Sequence, residues 1–415
     1  MLGDAKEVCR RSLDFHCFKK MKANRSKSFV KFPGWLLAAL AAVLAANSLL
    51  AADVPVSSTE LLTGADMSFL NYFETNGLTY RDNGPPEDAI QILKRHGVNC
   101  IRLRLFTSSA AQAANDPHGF VNTLDYTLPL AQRVKNAGLK FLLDFHYSDT
   151  WADGGHQVTP DAWTNLDFPQ LVQELRVYNS NCIAAFKAAG AMPDYVQVGN
   201  EITYGMLWPY GKVSHTNSTV QWSHLGQLMN AAIEGIREAA GTTMPQLIVH
   251  IDQGGNWRNT KWFFDNLRRQ EVPFDIIGES YYPFFQGPWT NVPVCLDNAA
   301  RRYGKPVMIV ETDFPYIKSK GYYGIPGTTN GQVRFIETLA QIVKKVPHGR
   351  GAGIFWWGTE FQYPAENLAD YGKRSLFDTN GQLLPVADAL GTWSATPDIM
   401  NVTTHMSAYP AVRQN

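Results

Sequence analysis

Two glutamates have the residue type and the setting needed to cleave a sugar polymer. Glu201 ends the segment Val198-Gly-Asn-Glu201 and Glu311 ends Met308-Ile-Val-Glu311, and the two lie 110 residues apart in a chain of 415. Two carboxyl groups about 5 Å apart can hydrolyse a glycosidic bond with retention of configuration, because one attacks the sugar carbon while the other transfers the proton. The pair predicts this chemistry if the fold brings both side chains together. Asn200, beside the candidate acid, is then well placed to hydrogen-bond a sugar hydroxyl.

Two arginines could tune this pair. Arg102 and Arg104 stand two places apart in the run Ile101–Phe106, and therefore on one face of a predicted strand. Their apolar neighbours would face surrounding helices, so we expect both guanidinium groups to point inward, where a buried cation needs a carboxylate partner. An arginine near Glu311 would keep the nucleophile ionised, while less polar surroundings would raise the pKa of Glu201.

The ends of other predicted strands also carry polar or aromatic side chains. His146 and Asp149 follow the third strand, Tyr281 follows the sixth, and Trp357 follows the eighth. Taken singly, an Asn-Glu pair is usually a surface turn and a Trp-Trp pair is usually core. Because these residue types occur together at strand ends, alongside the two glutamates, we predict an active site.

The scaffold that must position these residues is predicted from eight strand-like runs. The runs begin 28 to 55 residues apart and alternate with stretches of helical periodicity. They are Leu61–Phe69, Asn99–Phe106, Leu139–His146, Asp194–Glu201, Gln246–Asp252, Phe274–Tyr281, Pro306–Thr312 and Gly351–Trp357. Eight alternating units predict an α/β fold, a single closed (β/α)₈ TIM barrel. A doubly wound open sheet is the alternative, but no G-x-G-x-x-G motif follows any of the strands.

The predicted helices lie between these strands. They are Pro86–His96, Leu124–Ala137, Phe168–Ala189, Val220–Ala240, Thr260–Gln270, Val294–Tyr303 and Gly331–Val346. The chain is longer than the roughly 250 residues of a typical barrel. We assign the excess to long loops after the strands, on the face where barrel enzymes carry their chemistry. These loops are Asp149–Phe168, Gly205–Gln221, Pro283–Pro293, Asp313–Asn330 and Gly358–Leu384.

The composition argues against a nucleic-acid binder. The chain has 37 basic and 37 acidic side chains and therefore no net charge, whereas nucleic-acid binding needs a positive excess that displaces counterions. The chain contains 11 Trp, 17 Tyr and 22 Phe, more than a core requires. Aromatic side chains of this kind can serve as platforms for the flat apolar faces of sugars.

Residues 1–52 are predicted to be a secretory signal segment, with cleavage near Ala52. A basic run between Lys19 and Lys31 precedes the apolar stretch Trp35–Ala46, which is 12 residues long and followed by small residues. A membrane anchor is the alternative, but a span needs about 20 apolar residues. Met21 is an alternative start that would leave an ordinary basic region before the apolar stretch. The sequence predicts a secreted or periplasmic protein with no membrane contact after removal of the signal.

From about Gly64 to Leu390 the chain resembles the endo-β-1,4-galactanases of glycoside hydrolase family 53. The most specific motif is Leu143-Asp-Phe-His-Tyr-Ser-Asp-Thr-Trp-Ala-Asp153. Others are Gly64-Ala-Asp-Met-Ser68, Ile101–Phe106, Val198-Gly-Asn-Glu201, Leu207-Trp-Pro209, Ser280-Tyr-Tyr-Pro-Phe284, Val310-Glu-Thr312 and Leu376-Phe-Asp-Thr-Asn-Gly-Gln382. The resemblance implies a retaining barrel enzyme whose acid/base is Glu201 and whose nucleophile is Glu311.

The same resemblance assigns binding residues by position. Around the bond to be cut it places Asn200, Arg102, Arg104, His146, Tyr281 and Trp357. Along the sugar cleft it places Asp66, Asp149, Trp151, Trp208 and Asp252. It implies no cofactor, although relatives can carry a structural calcium ion, and the sequence leaves the metal question and the oligomeric state open.

Several residues depart from the family pattern. Gly154 stands where the family usually has Pro, Gly255 replaces a Trp, and Asn256 replaces an Asp. After Trp357 the chain continues Gly358-Thr-Glu-Phe361 instead of Glu-Pro-Ala-Trp. These changes leave the catalytic pair intact and alter surface that would face sugar.

The sequence therefore predicts a secreted retaining endo-β-1,4-galactanase with a polysaccharide substrate, galactan or arabinogalactan side chains of pectin. Its barrel is predicted to span residues 53–395, followed by a tail at 396–415. The alternatives are another β-1,4-glycanase of the same clan and a non-catalytic polysaccharide-binding barrel. The retention of both glutamates and Asn200 argues against the second of these.

Glu279 occupies an apolar position of the family pattern, two places before Tyr281. If both face inward, its carboxylate must be protonated or meet a cation, and Arg102 and Arg104 are the candidates. We hypothesise an ion pair with one of them. The alternative is a register in which Glu279 faces the outer helices or a loop.

Overall fold

The computed structural model describes residues 61–116, 120–216, 219–364 and 371–393. The predicted signal segment, Met21 and the tail at 396–415 lie outside these residues, so those predictions stay untested. Within the described residues no helix is long and apolar enough to cross a membrane.

Eight parallel strands close into a barrel in which each strand pairs with its sequence neighbours and the last pairs with the first. They are β1 (Leu62–Asp66), β2 (Cys100–Leu105), β3 (Lys140–Phe145), β4 (Tyr195–Val198), β5 (Gln246–Ile251), β6 (Ile276–Ser280), β7 (Val307–Thr312) and β8 (Gly351–Trp356). All eight predicted strands are present, and the predicted TIM barrel is confirmed. A pair of two-residue antiparallel strands, Gly205–Met206 and Gly211–Lys212, follows β4.

The helices surround the barrel. They are α1 (Leu70–Thr75), α2 (Ala89–Arg95), α3 (Ala110–Ala114), α4 (Leu124–Asn136), α5 (Phe168–Ala188), α6 (Thr219–Ala240), α7 (Trp257–Leu267), α8 (Pro283–Gln286), α9 (Val292–Tyr303), α10 (Thr329–Lys344) and α11 (Val386–Thr392). Their starts follow local signals: Asp167 and Gln170 form a reciprocal capping box at α5, and the Thr123 hydroxyl accepts the Tyr126 N–H at α4. Each predicted helix matches one of these within a few residues.

The barrel interior has an apolar layer below a polar layer. The apolar side chains come mostly from the first halves of the strands, and they are Leu62, Cys100, Leu142, Ile248, Ile276, Met308, Val310, Ala352 and Phe355. Side chains alternate along a strand, so the residue two places further along points inward again. At that level Arg102, Asp144 and His250 replace apolar residues, and all three are buried. Because inward positions recur every two residues, the apolar layer is followed directly by a polar layer, which forms the base of the site.

Close packing inside the barrel depends on Gly64. A Cβ atom at this position would lie 2.0 Å from the Phe355 ring. Only a residue without a side chain leaves room for that ring inside the barrel.

Strand β6 does not have the orientation that we hypothesised: Glu279 points toward the outer helices and not into the barrel. Ser280 points inward, whereas the Glu279 carboxylate accepts hydrogen bonds from the Thr260 hydroxyl on α7 (2.9 Å) and from the Gln253 N–H (3.1 Å). The hypothesised ion pair with an arginine is therefore wrong, and the outward register is correct. Burial raises the pKa of Glu279 well above its ordinary value, which favours the neutral form of this carboxyl group.

Strand β7 is irregular next to β6, and this aims the candidate nucleophile. Glu279 pairs with Ile309 and Ser280 pairs with Glu311, so Val310 is an extra residue on β7. Val310 packs inside the barrel, yet Glu311 also reaches the polar end of the interior. Strict alternation would send one of the two outward, and the irregularity lets both face the interior.

Candidate active site

A cavity of about 740 Å³ opens at the carboxyl ends of the strands. Both candidate catalytic residues, Glu201 and Glu311, contribute to its wall. Of the predicted binding residues, the cavity is also lined by Asn200, Trp151, Asp252 and Trp357. Four of the five long loops predicted after the strands contribute lining residues, and Gly205–Gln221 contributes none.

Glu311 contacts a cation and a phenol. One carboxylate oxygen lies 2.6 Å from Nη2 of Arg102, and the other accepts a hydrogen bond of 2.9 Å from the Tyr282 hydroxyl. Burial raises the pKa of Glu311, while the positive charge of Arg102 and the Tyr282 hydrogen bond oppose that rise. These two partners stabilise the ionised carboxylate, which is the form a nucleophile needs.

Arg102 is the electrostatic centre of the site. Its guanidinium donates to Asp66 (2.7 Å), to Asp144 (2.8 Å) and to the side-chain oxygen of Asn200 (2.9 Å), besides contacting Glu311. The neighbouring carboxylates raise its pKa despite complete burial, so the cation is retained. A rigid planar fork with several partners fixes the orientation of Glu311 from below.

Glu201 has neutral partners instead. The Ser280 hydroxyl donates to its carboxylate at 2.6 Å, and Ser280 in turn lies 2.8 Å from Nε2 of His250. Burial raises the pKa of Glu201 well above its usual value, and the nearby charges of Glu311 and Asp252 raise it further. Glu201 therefore holds its proton where an isolated carboxyl group would lose it, as a general acid requires.

The backbone at Glu201 is strained in a way that aims the side chain. Its φ and ψ of 49° and 46° lie in the left-handed region, two residues after Gly199, which has a φ of 91°. A left-handed non-glycine residue costs on the order of 1–3 kcal/mol and persists only where surrounding contacts hold it. The turn at the end of β4 thereby points Glu201 into the cavity.

Two polar side chains inside the barrel connect the partners of the two glutamates. Gln197 accepts from Nε of Arg102 (2.8 Å), and its amide nitrogen lies 2.8 Å from Nδ1 of His250. Burial and the charge of Arg102 lower the pKa of His250 well below its ordinary value, so the ring is neutral. With Nδ1 accepting from Gln197, Nε2 carries the hydrogen and donates to Ser280. The chain thus runs without a break from Arg102 to Glu201.

Asn200 is held on both sides. Its oxygen accepts from Arg102, and its amide nitrogen donates to the carbonyl of Ala152 at 2.7 Å. The Gln157 side chain donates to its backbone carbonyl at 2.7 Å. The remaining amide hydrogen is available to the cavity, which Asn200 lines.

Two tryptophans form an aromatic wall above Arg104. Trp151 and Trp357 both line the cavity, with ring centroids 5.8 Å apart. The Arg104 guanidinium lies 4.3 Å from the Trp151 ring, 5.5 Å from the Trp357 ring and 5.0 Å from the Phe69 ring. Arg104 is buried and does not line the cavity, so it supports the cavity wall by packing beneath these rings.

His146 and Asp66 also lie beneath the cavity and do not line it. His146 accepts the N–H of Ala152 at 2.9 Å and lies 3.0 Å from Asp144. Asp66 accepts from Arg102 and from the Ser68 hydroxyl at 2.7 Å. The structure therefore places both residues in the support of the site, below the surface that a substrate would touch.

Gly154, one of the departures from the family pattern, lies against Asp252. A Cβ atom at position 154 would lie 2.6 Å from a carboxylate oxygen of Asp252. That carboxylate accepts a hydrogen bond from the Thr203 hydroxyl and lines the cavity. The glycine makes room for the position that Asp252 takes beside Glu201.

The comparisons agree with the geometry of the site. A sequence profile of glycosyl hydrolase family 53 matches residues 62–390. The chain belongs to this family. It is therefore a glycoside hydrolase, and the resemblance predicted from its motifs is confirmed.

Relatives of this family 53 enzyme match over most of their length. An arabinogalactan endo-β-1,4-galactanase of Humicola insolens is 33% identical over 335 residues, which cover 77% of this chain and 96% of that protein. A solved structure of fungal β-1,4-galactanases has 31% identity and a TM-score of 0.70, covering 79% of this chain and 98% of that one. The family 53 catalytic domain of Ignisphaera aggregans has 30% identity and a TM-score of 0.73, covering 81% of this chain and 97% of that one.

Besides the buried residues beneath the cavity, three further predicted site residues of the enzyme do not line it. Tyr281 points outward, where its hydroxyl donates to the carbonyl of Gly287 at 2.8 Å and its ring stacks on Phe335. The prediction that Tyr281 lies around the bond to be cut is wrong, because the inward residue of this strand end is Tyr282. Asp149 accepts hydrogen bonds from Thr107, Gln112 and Asp161, and Trp208 donates to Tyr204 beneath Lys212; neither lines the cavity.

Four residues that the sequence analysis did not assign belong to the site: Tyr282, Ser280, His250 and Gln197. Gln197 and His250 carry a signal that could have identified them, since each is a polar residue at an inward position of an otherwise apolar strand. Tyr282 could have been identified only if it had been known which residues of β6 point into the barrel.

In the residues that the structure describes, no group of three or more His, Cys, Asp or Glu side chains could hold a metal ion. The possible calcium ion of the relatives therefore stays an untested prediction.

Proposed function

We propose that this enzyme is a secreted, retaining endo-β-1,4-galactanase that hydrolyses galactan or arabinogalactan side chains of pectin. One observation carries the proposal: two buried glutamates share a cavity but have opposite partners. Glu311 contacts the Arg102 cation, and Glu201 contacts the neutral Ser280 and His250 pair. Such separation of environments is what assigns a nucleophile and an acid in a retaining glycosidase.

The reaction then follows two displacements. Ionised Glu311 attacks the anomeric carbon while Glu201 donates its proton to the departing glycosidic oxygen, which leaves a glycosyl ester on Glu311. Glu201, now ionised, removes a proton from water, and the resulting hydroxide attacks the same carbon and releases Glu311. Tyr282 and Arg102 stabilise Glu311 each time it returns to the carboxylate form.

The charge of the cavity supports a neutral glycan as substrate. Among the residues that the structure describes, four carboxyl groups line it besides the protonated acid Glu201, namely Asp153, Asp252, Glu311 and Asp313, whereas Arg374 is the one cationic lining residue. A uronate polymer would be repelled by this wall, while hydroxyl groups of a neutral sugar can donate to it. The named galactanase relatives favour galactan over other neutral β-1,4-glycans.

A reducing-sugar assay of the purified mature protein on galactan, mannan, xylan and cellulose tests the substrate. We expect turnover on galactan far above that on the other three polymers. Equal or higher turnover on xylan or mannan would replace galactanase by another β-1,4-glycanase, and no turnover on any polymer would favour a binding barrel.

Proton NMR of the first products tests the stereochemistry. Because Glu311 would invert the anomeric carbon twice, the β anomer should appear first and then mutarotate. Early appearance of the α anomer excludes the double displacement.

A further inference from the structure

A second large cavity lies at the opposite end of the barrel from the active site. It encloses about 790 Å³ between the last turns of α6, α7 and α9 and the segments that lead into β6 and β7. We call it the basal groove. Its cationic lining residues are Arg237, Arg268, Arg301, Arg302 and Lys305.

The basal groove carries an excess of positive charge. Of the described residues, Asp275 is the one acidic residue in its lining. Three further carboxylates interact with its arginines: Glu234 bonds Arg237, Asp265 bonds Arg302, and Asp297 interacts electrostatically with Arg301. Five cations therefore meet four carboxylates. Arg268 and Arg301 are exposed and form no salt bridge within the part of the chain that the structure describes.

The shape and chemistry of the groove favour a carboxylated sugar polymer. The planar fork of an arginine matches a carboxylate in a bidentate hydrogen bond. The rings of Phe274 and Tyr303, both half-buried, lie in the wall between the cations. Lys305 lies over the Phe274 ring at 5.1 Å and Arg302 over the Tyr303 ring at 5.9 Å, so each ring supports a cation in the wall. Cations and aromatic surface side by side fit a sugar that carries a carboxylate.

The two cavities have opposite polarity although the chain has no net charge. Within the described residues, four carboxyl groups besides the protonated Glu201 line the catalytic cavity against one cation, and five cations line the basal groove against one carboxylate. A polyanion is therefore repelled at one end and attracted at the other. Because the chain as a whole has no net charge, it is not generally attracted to nucleic acid. The groove therefore favours a polymer with widely spaced carboxylates over a densely charged duplex.

We propose that the basal groove binds an anionic polysaccharide bearing uronate carboxylates, and so holds the enzyme on a charged polymer while the catalytic cavity cleaves neutral chains. The proposal goes beyond the proposed galactanase activity and does not depend on which neutral glycan is cleaved. Arginines near helix C-termini also interact with the helix dipoles. That role predicts effects on stability alone, so binding measurements distinguish the two.

Affinity electrophoresis of the whole protein in gels containing polygalacturonate tests the proposal at low ionic strength. The variant Arg268→Gln/Arg301→Gln removes the two exposed lining arginines that form no salt bridge among the described residues. Arg334→Gln/Lys345→Gln removes two exposed cations of the α10 region as a matched control for net charge. We expect retardation of the wild type that weakens with salt, and an affinity about tenfold lower in the groove variant. The control variant should bind as the wild type does.

A third variant, Arg268→Lys/Arg301→Lys, keeps both charges and should bind with intermediate affinity, because lysine cannot form the bidentate bond. Hydrolysis of neutral galactan and the thermal midpoint should stay unchanged in the groove variants, so failure of the groove and failure of the galactanase proposal are separable. The proposal is overturned if the wild type is not retarded, if the control variant loses as much affinity as the groove variant, or if duplex DNA of equal charge concentration binds as tightly.

Discussion

The hydrogen bond from Tyr282 to Glu311 allows the assignment of the nucleophile to be tested through its ionisation. The variant Tyr282→Phe removes the hydroxyl 2.9 Å from the carboxylate oxygen and leaves the ring in place. A hydrogen bond to a charged group stabilises it by about 1.5–3 kcal/mol, and one pKa unit corresponds to about 1.36 kcal/mol. Because Glu311 is slightly exposed, water replaces part of the lost bond, and we expect its pKa to rise by about one unit.

The assay is the pH dependence of kcat/KM on an aryl β-galactoside. This quantity reports the free enzyme, and its acidic limb requires Glu311 to be ionised. Losing a donor to the carboxylate form raises the pKa, so the acidic limb should move to higher pH. At pH values below the acidic limb, kcat/KM of the variant should be about tenfold lower than that of the wild type, because a pKa difference of one unit changes the ionised fraction of Glu311 tenfold. The basic limb, which reflects loss of the Glu201 proton, should move much less.

Tyr281→Phe is the matched control in the adjacent residue. Tyr281 donates to the carbonyl of Gly287 on the outer side of the barrel, so its removal should leave both limbs in place. If the acidic limb stays fixed in Tyr282→Phe, Glu311 does not set it. If Tyr281→Phe shifts the acidic limb as much as Tyr282→Phe does, the orientation in which Tyr282 points inward and Tyr281 points outward is wrong.

Three further results are expected. Glu201→Ala should retain the first step on an aryl galactoside with a good leaving group far better than Glu311→Ala does, since such a substrate needs little acid help; equal losses in single-turnover kinetics would contradict the roles. For Glu279, whose pKa is raised in the folded state, the stabilising contribution is complete below the unfolded pKa and is lost as pH rises through the folded pKa. Glu279→Gln should therefore flatten the fall of the thermal midpoint between these two pKa values, and an unchanged profile would place the titration elsewhere. Gly154→Ala puts a Cβ atom 2.6 Å from Asp252 and should raise KM for galactan several-fold with a smaller change in kcat, and unchanged steady-state kinetics would show that Asp252 does not bind substrate.

The barrel itself could be predicted from the sequence because its signals are local and repeated. Each strand is a short apolar run, each helix shows turn spacing, and eight repeats leave few other ways of burying both. The inward direction of Arg102 also followed from local alternation, since Ile101 and Leu103 belong to the core between the barrel and its helices. These features need no knowledge of which strands touch.

The face of β6 could not be predicted in the same way. The segment from Ile276 to Tyr282 has no charged residue other than Glu279, so an apolar-polar alternation gives no clear direction. The direction is decided by tertiary contacts: Thr260 and Gln253 supply hydrogen bonds outside the barrel, and His250 supplies one to Ser280 inside. A residue with two suitable donors on the helix side can be buried there as a neutral acid, which removes the need for a cation.

The division of labour between the two arginines depends on the same kind of contact. Both face the interior, yet only Arg102 reaches Glu311, because Asp66, Asp144 and Gln197 surround its guanidinium at the level of the polar layer. Arg104 is one step higher on β2 and meets aromatic rings instead of carboxylates. Its nearest carboxylate, on Asp66, is 3.8 Å away. A cation beneath the tryptophan wall and a cation beneath the nucleophile thus come from one strand, and their separate roles follow from what the neighbouring strands and loops place opposite each.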